Sequence, residues 1–155
     1  MQEVIVENKT LRGMSTRTTN QNEMNPETAK LGSLWQKFDK EVAVDYQHGE
    51  RVYGVYYDYE SDANGEFSVL AGFDGKTGPQ GDKLETITIP AGKYLRFDAV
   101  TDGDNEQARI TAIIKTWGKI WDYFASETDI QRAYKTDFEY YKSPTEIEIY
   151  ISIAK

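Results

Sequence analysis

Two stretches of the chain space their apolar residues as a helix does. Leu31, Leu34, Trp35, Phe38 and Val42 fall at offsets 0, 3, 4, 7 and 11, the stripe by which one helical face is buried. Just before them, Asn25-Pro26-Glu27 supplies an amide that can cap, a proline suited to the first helical position and an acid at the positive end of the dipole. The spacing predicts a helix over 26–41. A second stripe, Ile110, Ile113, Ile114, Trp117, Ile120, Trp121 and Phe124, follows Asp104 and Gln107 at capping-box spacing. It predicts a longer and more apolar helix.

Between and after the helices the period shortens to two. Residues 51–59 and 66–73 are aromatic-rich, β-branched runs around Asn64-Gly65, a pair suited to the left-handed positions of a tight hairpin turn. Residues 84–89 and 94–100 flank Pro90-Ala91-Gly92-Lys93, and residues 137–141 and 146–153 flank Lys142-Ser143-Pro144-Thr145, giving two further hairpin signals. Pro79 and three glycines between Asp74 and Lys83 break all periodicity and read as a surface connector at the chain's midpoint. Residues 2–73 therefore read strand, strand, helix, strand, strand, and residues 84–154 repeat that order. The expected fold class is α+β: one domain over 1–155, built of two pseudo-repeats with antiparallel sheet, related by a pseudo-two-fold axis. A crevice along their interface is a natural place for a small molecule.

Alternation also sorts the residues with chemistry to offer. Phe138 and Tyr140 share one strand face, Glu139 and Tyr141 the other. In the following strand Ile147, Ile149, Ile151 and Ile153 oppose Glu146, Glu148, Tyr150 and Ser152, and the isoleucine row must be core. Glu139 is then either a solvated acid on the outer face or a carboxylate among tyrosines lining the crevice; the pattern leaves both open. Tyr53, Val55, Tyr57 and Tyr59 share a face opposite Gly54 and Tyr56. Such a tyrosine stripe serves as half-buried packing or as a ligand wall, and Gly54 lets a helix or a ligand approach the backbone closely.

Composition narrows the function. The chain has 155 residues, 39% hydrophobic and 13% aromatic with eleven Tyr, enough apolar surface for one sizeable core. With 18 Lys and Arg against 26 Asp and Glu the net charge is -8, which repels a phosphate backbone, so direct nucleic-acid binding is not expected. No cysteine and a single histidine, His48, remove thiolate nucleophiles, disulfides, thiolate zinc sites and multi-histidine metal cages. His48, in a polar stretch beside Gly49, reads as a surface loop residue. The glycines between Asp74 and Lys83 lack P-loop spacing. No catalytic residue, metal ligand or cofactor is expected. No apolar run is long enough to span a membrane and the amino terminus lacks the form of a signal peptide, which points to the cytoplasm.

Several of these segments together carry a resemblance. Gly13 after the first strand, Leu34-Trp35-Gln36-Lys37-Phe38, Ile89-Pro90-Ala91-Gly92-Lys93-Tyr94, and the closing Phe138-Glu139-Tyr140-Tyr141 with residues 146–153 resemble, in order and separation, the GyrI-like effector-binding family. That family serves as ligand sensor in AraC- and MerR-type multidrug regulators and also occurs alone, including in proteins encoded on integron gene cassettes, which this chain resembles most. The resemblance implies a duplicated domain whose crevice accepts hydrophobic cations over a glutamate supported by aromatic rings. Carried over, Glu139 is the acid, and Tyr53, Tyr57, Tyr141 and Tyr150 are the candidate ring walls, while Trp121 and Phe124 read as core. The residues before the first predicted helix leave no room for the helix-turn-helix module that regulators of the family carry. The leading expectation is a non-enzymatic binder of amphipathic cations. Two alternatives stand beside it: a module that binds a separate regulator protein or inhibits a gyrase-like enzyme, and a small-molecule hydrolase with Glu139 as base and Tyr141 or Tyr150 as acid.

Overall fold

The alternating segments form strands that all pair antiparallel. The computed structural model describes residues 1–75, 84–126 and 129–154. Its elements are β1 (Gln2–Val6), β2 (Lys9–Thr18), α1 (Asn20–Glu23), α2 (Leu31–Glu41), β3 (Val52–Tyr57), β4 (Phe67–Phe73), β5 (Glu85–Ile89), β6 (Gly92–Val100), α3 (Glu106–Ala125), β7 (Gln131–Arg132), β8 (Thr136–Ser143) and β9 (Glu146–Ala154). The sheet runs β1-β6-β9-β8-β3-β4-β2-β5, with β7 added on β9. Exchanging β1 with β5, β2 with β6, β3 with β8 and β4 with β9 leaves this order unchanged. The pairing is thus two-fold symmetric about the β3–β8 pair.

One ladder curls the sheet. Val6 pairs with Gly92 and Lys9 with Ile89 in a single continuous frame, so β1–β2 and β5–β6 act as two long strands bent at residues 7–8 and 90–91. The Asn8 Oδ1 accepts from the Ala91 N–H at 2.7 Å across the bend. Because β2 also pairs with β4, and β6 with β9, this ladder ties the two ends of the path together as a half-barrel. Close approach is needed where β2 lies between β4 and β5: a Cβ on Gly13 would sit 2.1 Å from the Ala71 carbonyl oxygen.

Three apolar clusters hold the curl. Leu11, Tyr53, Val55, Leu70, Ile89, Tyr94 and Phe138 fill its inner side. On the other side α2 lays Leu34 and Phe38 on Val52, Val69, Ala71 and Phe73, and α3 lays Ile120 on Leu95, Phe97, Ile147, Ile149 and Ile151. Each buried Val, Leu, Ile or Phe among them contributes roughly 1.5–3 kcal/mol of apolar transfer. The two helices therefore flank the central β3–β8 pair. No described helix is long and apolar enough to cross a membrane.

The structure departs from the expected elements in four places. The first long helix begins at Leu31, because the carboxylate of Glu23 at the end of α1 takes the Lys30 N–H at 3.0 Å and the Leu31 N–H at 3.1 Å, a charged acceptor at the positive end of the helix dipole. Asn25 instead accepts from the Glu27 N–H and closes a local turn. The second helix is capped by Asn105, whose side chain accepts from the Ala108 N–H at 2.8 Å, one residue beyond the expected Asp104. Third, the segments around Pro90-Ala91 form a bend between collinear strands and not a hairpin: β5 pairs with β2, and β6 with β1 and β9. Finally, β3 and β4 do form a hairpin, but through a connection over residues 58–66 in which Asp58, at φ 53°, takes the left-handed conformation and neither Asn64 nor Gly65 does. The expected glycine-rich connector falls mainly on residues 76–83, outside the described residues.

Candidate functional site

The β3–β8 register places Gly54 directly opposite Glu139, on the side of the sheet that carries both helices. Side chains there alternate as Val52, Gly54, Tyr56 on β3 and Asp137, Glu139, Tyr141 on β8. With no side chain at Gly54, the Glu139 carboxylate lies over the backbone: a Cβ at residue 54 would be 3.0 Å from Glu139 Oε1 and 3.1 Å from Trp35 Cζ2. The glycine thus admits both a neighbouring helix and the acid.

Glu139 is 2% exposed. Its Oε2 accepts from the Tyr56 hydroxyl at 2.9 Å and from the Trp117 indole N–H at 2.7 Å, and its Oε1 from the Tyr141 hydroxyl at 2.8 Å. Burial raises the carboxyl pKa above its ordinary 4.5, and the bonds from Trp117, Tyr141 and Tyr56 pull against that rise without cancelling it. The same burial, with the adjacent carboxylate, holds the Tyr56 and Tyr141 hydroxyls well above the usual tyrosine range, so they remain donors. Among the described residues Glu139 makes no ion pair.

Aromatic rings enclose this carboxylate from both helices. Trp35 on α2 stacks on Tyr141, with centroids 5.6 Å apart and planes at 20°. Trp117 on α3 meets Tyr56 edge-on at 5.3 Å. All four rings are half-buried. The α3 face that carries Trp117 continues outward through Ile110, Ile114 and Trp121, one and two turns away. These three are 42%, 66% and 45% exposed, an apolar run on the outer part of that helix.

A second buried acid stands one strand repeat away. Asp137 Oδ2 accepts from Arg132 Nη2 at 2.7 Å and from the Tyr59 hydroxyl at 2.6 Å, and Oδ1 accepts from the Ser152 N–H at 2.8 Å. The Arg132 guanidinium lies 4.4 Å from the Tyr134 ring centroid and 6.0 Å from that of Trp117. Burial works against its charge, but Asp137 and Tyr59 outweigh burial and raise its pKa.

Of the residues expected at the site, the structure brings Glu139 and Tyr141 together. Tyr53, Tyr57 and Tyr150 lie on the opposite side of the sheet. Tyr53 is in the inner cluster, stacked on Tyr140 at 5.0 Å; Tyr150 stacks on Phe138 at 4.5 Å and donates to Glu148 at 2.6 Å; Tyr57 packs at the margin of the same cluster. The physical reason is strand parity: odd-numbered β3 residues and even-numbered β8 and β9 residues face the interior of the curl. Tyr150 is therefore no partner for Glu139, which removes one of the two acid–base pairs expected of a hydrolase. The rings that do meet the acid include Tyr56, Trp117 and Trp35. Tyr56 was legible as the β3 tyrosine on the Gly54 face. Trp117 was absorbed into the apolar stripe of its helix, and nothing in a helical period separates a core tryptophan from one whose N–H reaches a carboxylate. Trp121, expected in the core, is half exposed. His48 lies in a single helical turn, residues 46–48, exposed and bonded to Asp45 at 2.6 Å.

Comparison with known proteins agrees with this architecture. The curled antiparallel sheet with two flanking helices is consistent with a GyrI-like fold. A profile of the family described as integron-associated effector binding protein matches residues 4–153. An integron cassette protein from the mobile metagenome of Vibrio cholerae is 36% identical, with 99% of this chain and 95% of that chain covered and a TM-score of 0.84. The chain belongs to the integron-associated effector-binding protein family. More distant likenesses are to SAV2435 bound to tetraphenylphosphonium, at 18% identity, coverage of 99% and 93% and a TM-score of 0.62, and to a putative transcription regulation protein from Staphylococcus aureus MU50, at 17% identity, coverage of 99% and 97% and a TM-score of 0.66. A comparison with curated proteins finds no match.

Proposed function

We propose that this chain binds amphipathic organic cations in the crevice between α2 and α3, with Glu139 as the fixed counter-charge and Trp35, Tyr56, Trp117 and Tyr141 as its aromatic surround. The observation that carries this reading is a carboxylate 2% exposed that has three hydrogen-bond donors and, among the described residues, no cation. An ionised carboxylate withdrawn from water is costly unless a positive charge comes near. The three donors hold its charge in place, and a ligand cation supplies what they lack. At about 6 Å and an effective dielectric of about 20 the attraction is worth roughly 3 kcal/mol. Ring faces add about 0.5–2 kcal/mol for each desolvated cation–π contact, and the exposed Ile114 and Trp121 offer apolar surface without imposing one ligand shape. That SAV2435, a protein of this fold, was solved with tetraphenylphosphonium bound supports the same ligand class.

Binding, and not catalysis, is the role this arrangement suits. The Glu139 oxygens are engaged by donors, and the one tyrosine hydroxyl of the expected acid–base pairs that reaches it, that of Tyr141, is itself committed to it. Calorimetry with tetraphenylphosphonium and with neutral tetraphenylmethane derivatives of matched solubility tests the proposal. Glu139→Gln weakens the cation about a hundredfold and leaves the neutral compound unchanged. Equal loss for both ligands, or none for either, defeats it.

A further inference from the structure

Glu139 offers a charge but almost no vacant acceptor. A carboxylate has about four lone-pair positions, and Tyr56, Trp117 and Tyr141 occupy three of them at 2.9, 2.7 and 2.8 Å. A Cβ at residue 54 would meet both Glu139 Oε1, at 3.0 Å, and Trp35 Cζ2, at 3.1 Å, so the Trp35 ring stands near the oxygen that keeps one lone pair. The Tyr56 and Tyr141 hydroxyls are themselves buried against the carboxylate, to which both donate.

From this geometry, and resting on the cation-binding reading above, we infer that the crevice selects cations without N–H donors, such as quaternary ammonium, phosphonium and N-alkylated heteroaromatic ions, over protonated amines and guanidines of the same shape. A primary ammonium carries three strongly hydrated donors. Entering the space beside Glu139 strips their water, and that carboxylate, with three of its roughly four lone-pair positions taken, can return at most one hydrogen bond. A quaternary ion has no donors to strand. It feels the same carboxylate charge through space and presents polarised methyl or aryl groups to the rings, the arrangement by which aromatic cages hold quaternary ammonium ions. The buried acid sets the sign of the ligand, and the saturation of that acid sets its hydrogen-bonding class.

A methylation ladder reads this directly. The full chain is titrated calorimetrically at pH 7.5 with biphenylmethylammonium and its mono-, di- and trimethylated forms, with tetraphenylphosphonium as reference. The trimethyl compound is expected to bind at least tenfold more tightly than the primary amine. Part of any such gap is the apolar surface of the methyl groups, so the deciding comparison is between variants. Tyr141→Phe frees a lone pair on Oε1 and Trp117→Phe frees one on Oε2, without changing the ligand's surface. In either variant the gap narrows at least threefold because the primary amine gains, and the second variant serves if the first does not fold. A primary amine that binds the unaltered chain as tightly as the quaternary ion overturns the inference, as does a gap that both variants leave unchanged. If the ladder is flat while tetraphenylphosphonium still binds and still depends on Glu139, only this inference falls. If no cation binds, the function proposed above falls with it.

Discussion

Asp137 and Glu139 stand two residues apart on one face of β8, at 0% and 2% exposure, and differ in what answers their charge. Asp137 meets Arg132, whose side chain is 5% exposed, at 2.7 Å, with Tyr59 and Ser152 as further donors. Glu139 meets three neutral donors and, among the described residues, no cation. The first site is electrically complete within the fold; the second is complete only in hydrogen bonds. Burial alone therefore does not mark a ligand-binding acid. What distinguishes Glu139 is that its neighbours hold the carboxylate in place without neutralising it.

The largest effect that sharpens this contrast is on stability. Asp137→Asn leaves Arg132 buried without a counter-charge and is expected to lower the unfolding free energy by about 3–5 kcal/mol. Glu139→Gln, at the same depth, changes it by less than about 1 kcal/mol, since the amide oxygen still accepts from Trp117 and Tyr56 while the amide N–H donates to the Tyr141 oxygen. Urea unfolding of the two variants measures the difference, and equal costs would erase the distinction. Next in size, Tyr141→Phe removes a hydrogen bond to a charged acceptor, a loss of about 1.5–3 kcal/mol. It also pushes the Glu139 pKa further up, so the pH profile of phosphonium binding moves to higher pH. Gly54→Ala presses a methyl against Glu139 Oε1 and the Trp35 ring and is expected to cost about 1–2 kcal/mol, with a change in tryptophan fluorescence on the same variant.

The smallest effect is a slope. Because the Glu139 pKa is raised in the folded chain, the native state holds that proton more tightly than the unfolded chain. Its contribution to stability is full below the ordinary value of 4.5 and declines as pH rises from there through the folded pKa, by at most about 1.4 kcal/mol per pH unit. Glu139→Gln removes this decline from the stability-against-pH curve. A variant curve that superimposes on the parent across that window would mean the acid is not perturbed.

Much of this arrangement could be read from periodicity, and the failures are physical. The isoleucine row of β9 and the opposition of Glu139 to Phe138 follow from a two-residue period, which holds wherever one sheet face is buried. Pro90-Ala91 was misread as a reversal because a proline-containing bend between collinear strands and a hairpin turn use the same residues; only the partners, β2 for β5 and β9 for β6, tell them apart. Tyr53, Tyr57 and Tyr150 were assigned to the crevice on the family resemblance; alternation shows which residues of one strand share a face but not which of those faces meets Glu139. That side depends on the Gly54–Glu139 register between strands far apart in sequence. Trp117 illustrates the converse, a residue whose helical spacing placed it in the core although its indole N–H ends on the acid.

Cation binding depends on the charge state of Glu139, and carbon-13 NMR of its labelled side-chain carboxyl, assigned by its disappearance in Glu139→Gln, reports it directly. Titration above the ordinary 4.5 is expected in the ligand-free chain, with a marked fall in that pKa when tetraphenylphosphonium saturates the site. A carboxyl that titrates at or below the ordinary value and does not respond to the bound cation would contradict cation binding at Glu139.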